Sequence, residues 1–254
     1  MSNTKRALSS EDEWIKNYNS NPTFRKMVNE ALGVDCKKAS KCSHSEVTEF
    51  WSTITGKRAR EVSKSDFVLD GKVGVSFKSG KGRATSANYK ESRAIFLSTL
   101  SSDTKYSQDK NLVSMVEKMF EVWSSAKENL ITDRKVTTRD LKTGLCEHDE
   151  LSKYINTSSD INEYIPKLKE EYPNFVTDVI KECLTGQGKF GDRPQRATYY
   201  IRHNRKDMNI IDFAAHVDSQ EFIRECKTYE KAFNTAMKSS SGGKPTRAHW
   251  IRFM

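Results

Sequence analysis

The chain of 254 residues carries 43 Lys and Arg against 34 Asp and Glu, a formal net charge of +9, with 35% hydrophobic and 30% charged residues. That much apolar material builds a packed core and excludes wholesale disorder, while no apolar run approaches the ~20 residues of a spanning helix, so no membrane association is expected. The polar start MSNTKRALSSEDEW lacks the apolar stretch of a secretory signal, and five scattered cysteines without a CxxC pair fit reduced thiols, which together predict a cytoplasmic protein.

Residues 1–13 are polar and predict a loose N-terminal arm, with a single domain over 14–254. Trp14, Ile15 and Tyr18, then Phe24, Met27, Val28, Ala31 and Leu32, recur at helical spacing, and Gly33 is placed to stop the second helix. Residues 34–42, with Lys37, Lys38 and Lys41, read as a basic connector. Cys36, Cys42 and His44 lie close enough to raise a zinc site, which needs a fourth ligand from elsewhere; unpaired structural thiols are the plainer reading. Ser43-His44-Ser45-Glu46 spells a capping box ahead of a helix whose apolar face holds Val47, Phe50, Trp51 and Ile54.

From Ser65 the period becomes two: Phe67, Leu69, Val73, Val75 and Phe77 flank an Asp70-Gly71 turn and predict a β-hairpin. A two-residue loop would split these side chains between the faces, whereas a three-residue loop, Asp70 to Lys72, places all five on one face. Asp66, Ser76 and Lys78 then share the other. A slip of one residue exposes a whole apolar face, so burial selects the three-residue loop even though Asp-Gly by itself favours the shorter one.

Helices are expected over Asn88–Leu100, around Leu112–Trp123, and from Pro173, whose stripe is Phe175, Val176, Val179, Ile180, Cys183 and Leu184. The stretch 131–162 is polar and suggests loops and short helices. Thr198–Ile201 and Ile210–Phe213 read as strands, followed by a helix from about Ser219 to Phe233 and a last strand after the Ser239–Gly243 turn. The order predicts an α/β (α+β) fold, a mixed central sheet flanked by helices with helical additions.

An Asp on one strand and a Lys two positions past a polar residue on the next, here Lys64-Ser65-Asp66 and Val75-Ser76-Phe77-Lys78, resembles the PD-(D/E)xK, or restriction-endonuclease-like, nuclease superfamily. The resemblance runs from Ser43 through Ser86 and reappears at Glu182 to Phe190. It implies a metal-dependent DNA endonuclease in which Asp66 ligates Mg²⁺ (or Mn²⁺), because a hard cation takes oxygen ligands and keeps waters for the scissile phosphate. Lys78 would hold the attacking water and stabilise developing charge. Ser76 departs from the pattern, since the family usually carries Glu or Asp there. Some members with Ser-x-Lys take the missing carboxylate from a later helix, which points to Glu182 as the second metal ligand. Glu46 is the other catalytic candidate, because many members bring a Glu from the helix before the Asp strand and Glu46 borders its apolar stripe.

The residues allow other readings. Asp66 and Lys78 also make an ordinary cross-strand ion pair, Glu46 serves its capping box, and Glu182 is acceptable as a surface residue. Ser76, Ser79, Lys81 and Arg83 beside Lys78 suit a DNA backbone, as do Lys189, Arg193 and Arg196 with Arg202, His203, Arg205 and Lys206. Solvated loops or a charged strand edge explain the same residues. The Gly80-Lys81-Gly82 turn lacks the spacing of a P-loop. A non-catalytic basic DNA-binding or viral structural protein on the same fold is the alternative function, RNA is an alternative substrate, and duplex cleavage by a small core suggests a homodimer.

Overall fold

The structure, a computed structural model, describes residues 3–42, 63–79, 86–87, 89–133, 159–204, 210–230, 233–237 and 249–253. The helix expected after Ser43, with Glu46, lies outside these residues, as do Lys81, Arg83, Arg205 and Lys206. Among the described residues no helix is long and apolar enough to cross a membrane. The chain is a mixed α/β protein that divides into two compact units, Met1–Ala84 with Ile180–Thr228, and Thr85–Val179 with Tyr229–Met254. One domain over 14–254 was expected; the chain leaves the first unit after its hairpin and re-enters it at Ile180, which no composition shift marks.

The first unit opens with α1 (Asn3–Ser20) and α2 (Pro22–Leu32). The predicted arm is therefore helical from Asn3. Its Lys, Arg, Ala, Leu and Glu are competent helix formers, and the packed stripe that follows them anchors the continuation. Asn21 caps α2 by accepting the Thr23 and Phe24 N–H groups, each at 3.1 Å, and Pro22 occupies the first helical position, where its missing donor is no loss. Gly33 at φ 66° ends the helix, its own N–H and that of Val34 returning to Glu30 and Asn29.

The supposed connector contains β1 (Ala39–Lys41), which pairs antiparallel with β2 (Phe67–Leu69). β2 pairs in turn with β3 (Val73–Ser79) in the register Phe67↔Val75 and Leu69↔Val73, leaving Asp70, Gly71 and Lys72 as the loop. The three-residue loop is thus the one adopted. Asp70 and Gly71 take left-handed φ of 48° and 67°, and the Asp70 carboxylate offsets the strain by accepting the N–H groups of Lys37 and Lys38 at 2.9–3.1 Å. Phe67, Leu69, Val75 and Phe77 share one buried cluster with Trp14, Tyr18, Phe24 and Val28, the Trp14 ring stacking on Phe67 at 4.3 Å.

β3 runs parallel to β5 (Tyr199–His203), and β5 pairs antiparallel with β6 (Ile211–His216), completing a five-stranded mixed sheet of order β1-β2-β3-β5-β6. Gly74 lies under the chain that enters β5: a Cβ there would stand 1.9 Å from the Arg196 carbonyl oxygen and 2.2 Å from Ser65 Oγ. Only glycine allows that approach.

The second unit holds β4 (Ser86–Ala87), α3 (Tyr89–Ser102), α4 (Thr104–Ser107), α5 (Lys110–Asp133) and α6 (Ser159–Glu171). It also takes the first turns of α7 (Pro173–Thr185), whose six predicted stripe residues are all buried. Phe96 gathers Phe120, Phe175 and Phe233 at 5.5–6.2 Å between ring centres. The last predicted helix, α9 (Gln220–Glu230), stops short of Phe233, which instead starts β7 (Phe233–Met237). That strand pairs with β8 (His249–Phe253) and β8 with β4 in a three-stranded sheet. One strand was expected here. β7 was missed because Phe233 also continues the apolar spacing of α9.

Candidate active site

Asp66 stands immediately before β2, held by its own N–H to the Val75 carbonyl at 2.9 Å. With Phe67 opposite Val75, the next step along the ladder brings Asp66 against Ser76 and within reach of Lys78. Asp66 Oδ2 accepts the Phe77 N–H at 2.5 Å, the Lys78 ammonium at 3.3 Å and, at the long limit, the Ser76 hydroxyl at 3.4 Å. The carboxylate thus takes over a strand N–H where backbone pairing ends, which locks its orientation. Asp66 and Lys78 retain 25% and 24% side-chain exposure, so the pair is sheltered yet reachable from solvent. Ser76 is only 2% exposed and supports the carboxylate from below, so the expected contact with nucleic acid is not available to it.

A carboxyl that sequence reading passed over is influenced by the charges of this pair. Glu11 on α1 is half-buried, and its carboxyl is pushed up to about 7, first by burial and then by the negative charge of Asp66, against the opposing pull of Lys78 and Lys41. Glu11, Trp14 and Tyr18 are spaced three and four apart and share one face of α1. Trp14 and Tyr18 are fully buried against the sheet, so the face that packs also carries Glu11 toward Asp66. The signal was present in the sequence as an acid in register with an aromatic stripe. Its neighbour Asp12 turns to Lys41 on β1 at 2.9 Å, in an exposed ion pair.

Glu182 has different partners. It is 7% exposed, and its two oxygens accept the N–H groups of Gly188 and Lys189 at 2.7 and 3.3 Å, at the start of α8 (Gln187–Phe190). Burial raises its carboxyl, opposed by the charge of Lys189, the two N–H groups and the charge of Lys64. The carboxylate expected to complete a metal site with Asp66 is instead engaged by backbone donors.

The basic residues assigned to DNA divide similarly. Lys189 is 5% exposed. Arg193 donates to the Phe190 and Lys189 carbonyls at 3.0 and 2.8 Å, and Arg196 pairs with Asp218 at 3.1 Å. Arg202 pairs with Glu225 at 2.6 Å, and His203 is fully buried, its ring near Phe24 and Phe77. These side chains hold the fold together, and a local count of charges could not separate that use from phosphate binding. Ser79 remains half-buried at the end of β3, next in chain to Lys78. Cys36, Cys42, Cys183 and Cys226 take part in no disulfide among the described residues, and no group there of three or more His, Cys, Asp or Glu is arranged to hold a metal ion. Cys42 receives a hydrogen bond from Ser63 at 3.1 Å.

Comparison of the chain with protein-family models, with curated proteins and with solved structures gave no match.

Proposed function

We propose that the chain is a metal-dependent nuclease of the restriction-endonuclease-like type, acting on DNA, with Asp66 and Lys78 at its centre. The observation that carries the reading is a carboxylate and an ammonium 3.3 Å apart on the polar face of a β-hairpin. Burial, and then the charge of Asp66, raise the carboxyl of Glu11 on α1. Two acids that repel one another in a sheltered place are a donor set suited to a hard divalent cation, which relieves the repulsion. Asp66 and Glu11 would hold Mg²⁺ or Mn²⁺, in place of the Asp66 and Glu182 pair suggested by the motif. Such an ion, when bound, supplies Lewis acidity and a more acidic water for phosphodiester hydrolysis.

The protein's own groups have separable tasks. The Phe77 N–H fixes the direction of the Asp66 oxygen, and the Ser76 hydroxyl backs it. Lys78 keeps a fixed positive charge where a phosphate approaches, and a donor aimed at a place where negative charge builds needs no reorganisation during reaction. The net charge of +9 favours a polyanionic partner. A homodimer would supply one such centre per strand of a duplex.

A second reading, a DNA-binding protein without catalysis, draws support from Ser76 in the place of an acid and from the engaged carboxylate of Glu182. Incubation of the purified chain with supercoiled plasmid and Mg²⁺ or Mn²⁺, with EDTA as control, decides between them. Metal-dependent nicking lost in Asp66→Ala and Lys78→Ala is the expected result. Plasmid retardation without nicking at any metal concentration would establish the second reading, and equal cutting by Asp66→Ala would remove Asp66 from the chemistry. A parallel RNA substrate tests the choice of nucleic acid.

A further inference from the structure

The segment that begins at Glu182 returns to the strand that carries Asp66. Gly186 turns the chain at φ 64°, so close to its surroundings that a Cβ there would lie 2.6 Å from the Phe190 ring and 2.8 Å from Lys64 Cγ. Glu182 then gathers the N–H groups of Gly188 and Lys189. Arg193 ties the following loop to the Lys189 and Phe190 carbonyls, and Arg196 N–H closes it on the Arg193 carbonyl at 2.9 Å. The loop delivers the carbonyl of Gln195 to three donors: Lys64 N–H at 3.0 Å, Ser65 N–H at 3.1 Å and Ser63 Oγ at 3.2 Å. The Arg196 carbonyl accepts Ser65 Oγ at 2.7 Å. Asp66 is the next residue.

We infer that Glu182 is a positioning residue: by anchoring the 186–197 loop, whose carbonyls take the donors of Ser63, Lys64 and Ser65, it sets the Ser63–Ser65 segment and thereby aims the Asp66 carboxylate at Phe77 N–H and Lys78. It touches neither metal nor substrate. This assignment deepens the nuclease reading and rests on it for its catalytic consequence, while its structural half stands on the contacts alone. Two features separate it from an ordinary buried acid. Both of its oxygens accept backbone donors of the loop that grips Ser63–Ser65, and of the two charges that oppose its burial, first Lys189 and then Lys64, the second belongs to that same segment. Lys64 is 9% exposed, so its ammonium needs that counter-charge nearby.

The test uses the full chain with Glu182→Gln, which keeps one acceptor and removes the charge, and Lys64→Met, which keeps the stem on Gly186 and removes the ammonium. Amide hydrogen exchange reads the geometry without reference to activity. Exchange at Phe77 is expected to rise tenfold or more in both variants, with Ile201 in β5 changing less than threefold. In plasmid nicking, kcat is expected to fall at least tenfold, with KM for DNA and the half-saturating Mg²⁺ concentration within threefold of the parent chain. Unchanged exchange at Phe77 in a folded variant would overturn the inference. A tenfold rise in half-saturating Mg²⁺ for Glu182→Gln, matching Asp66→Asn, would also overturn it by making Glu182 a ligand. If Glu182→Gln does not fold, Lys64→Met decides. If the parent chain cuts nothing, the nuclease reading fails, and the exchange measurement still decides the positioning role.

Discussion

Replacing Asp66 separates its structural work from its charge. In Asp66→Ala the Phe77 N–H, in a residue only 4% exposed, loses the acceptor it holds at 2.5 Å. Leaving such a donor unsatisfied costs about 1–3 kcal/mol. The ion pair with Lys78 adds ~1 kcal/mol or less, because both side chains are about a quarter exposed and solvent screens them. The sum, about 1–4 kcal/mol, corresponds to a melting temperature lower by roughly 2–16 °C. Asp66→Asn retains a carbonyl oxygen for Phe77 and loses only the charge, so its stability should fall by ~1 kcal/mol or less while nicking is abolished. Urea unfolding followed by exchange of the β3 amides measures both variants in the unit that contains the site, avoiding the assumption that two units unfold together. Equal destabilisation by Ala and Asn would refute the argument, since it would mean that charge rather than the Phe77 hydrogen bond anchors the carboxylate.

Gly74→Ala forces a Cβ against the Arg196 carbonyl and Ser65 Oγ, and overlap with backbone at 1.9 Å has no rotamer that relieves it. A loss above about 3 kcal/mol is expected, read as a collapse of the urea midpoint, and a parent-like midpoint would contradict the packing described for the strand β3. Glu11 binds its proton more tightly folded, with its carboxyl at about 7, than at its ordinary value of 4.5. The folded state therefore holds the extra proton between these values. Its contribution to stability is fully present below pH 4.5 and is lost as pH rises through about 7. Glu11→Gln should flatten that part of the stability profile measured by urea midpoints at successive pH values; an unaltered slope would show that Glu11 does not titrate there.

Much of the fold was legible because its determinants are local. The hairpin register followed from alternation alone, since Phe67, Leu69, Val73, Val75 and Phe77 can share the buried face only across a three-residue loop. Gly33 was placed to stop α2, and it does so by cap chemistry that acts within a few residues. The stripe of α7 announced itself by its spacing, and the same reasoning placed Asp66, Ser76 and Lys78 together on one polar face, where their atoms meet. Local pattern failed where an element is short or defined by a distant neighbour. β1 has three residues and becomes a strand only by pairing with β2.

The composition of the site was a matter for tertiary structure. Glu182 was favoured because some members of the resembling family take a carboxylate from a later helix, yet a place on a helix says which face packs and not what it packs against. Glu182 is engaged by the N–H groups of Gly188 and Lys189, whereas Glu11, in a stretch read as an arm, feels the charge of Asp66. The parallel alignment of β3 with β5 likewise joins segments between which residues 85–179 of the second unit intervene. Periodicity and capping are set by neighbours along the chain and can be read there. Which carboxylate meets which ammonium depends on burial and hydrogen bonding summed over elements remote in sequence, and only the assembled fold performs that sum.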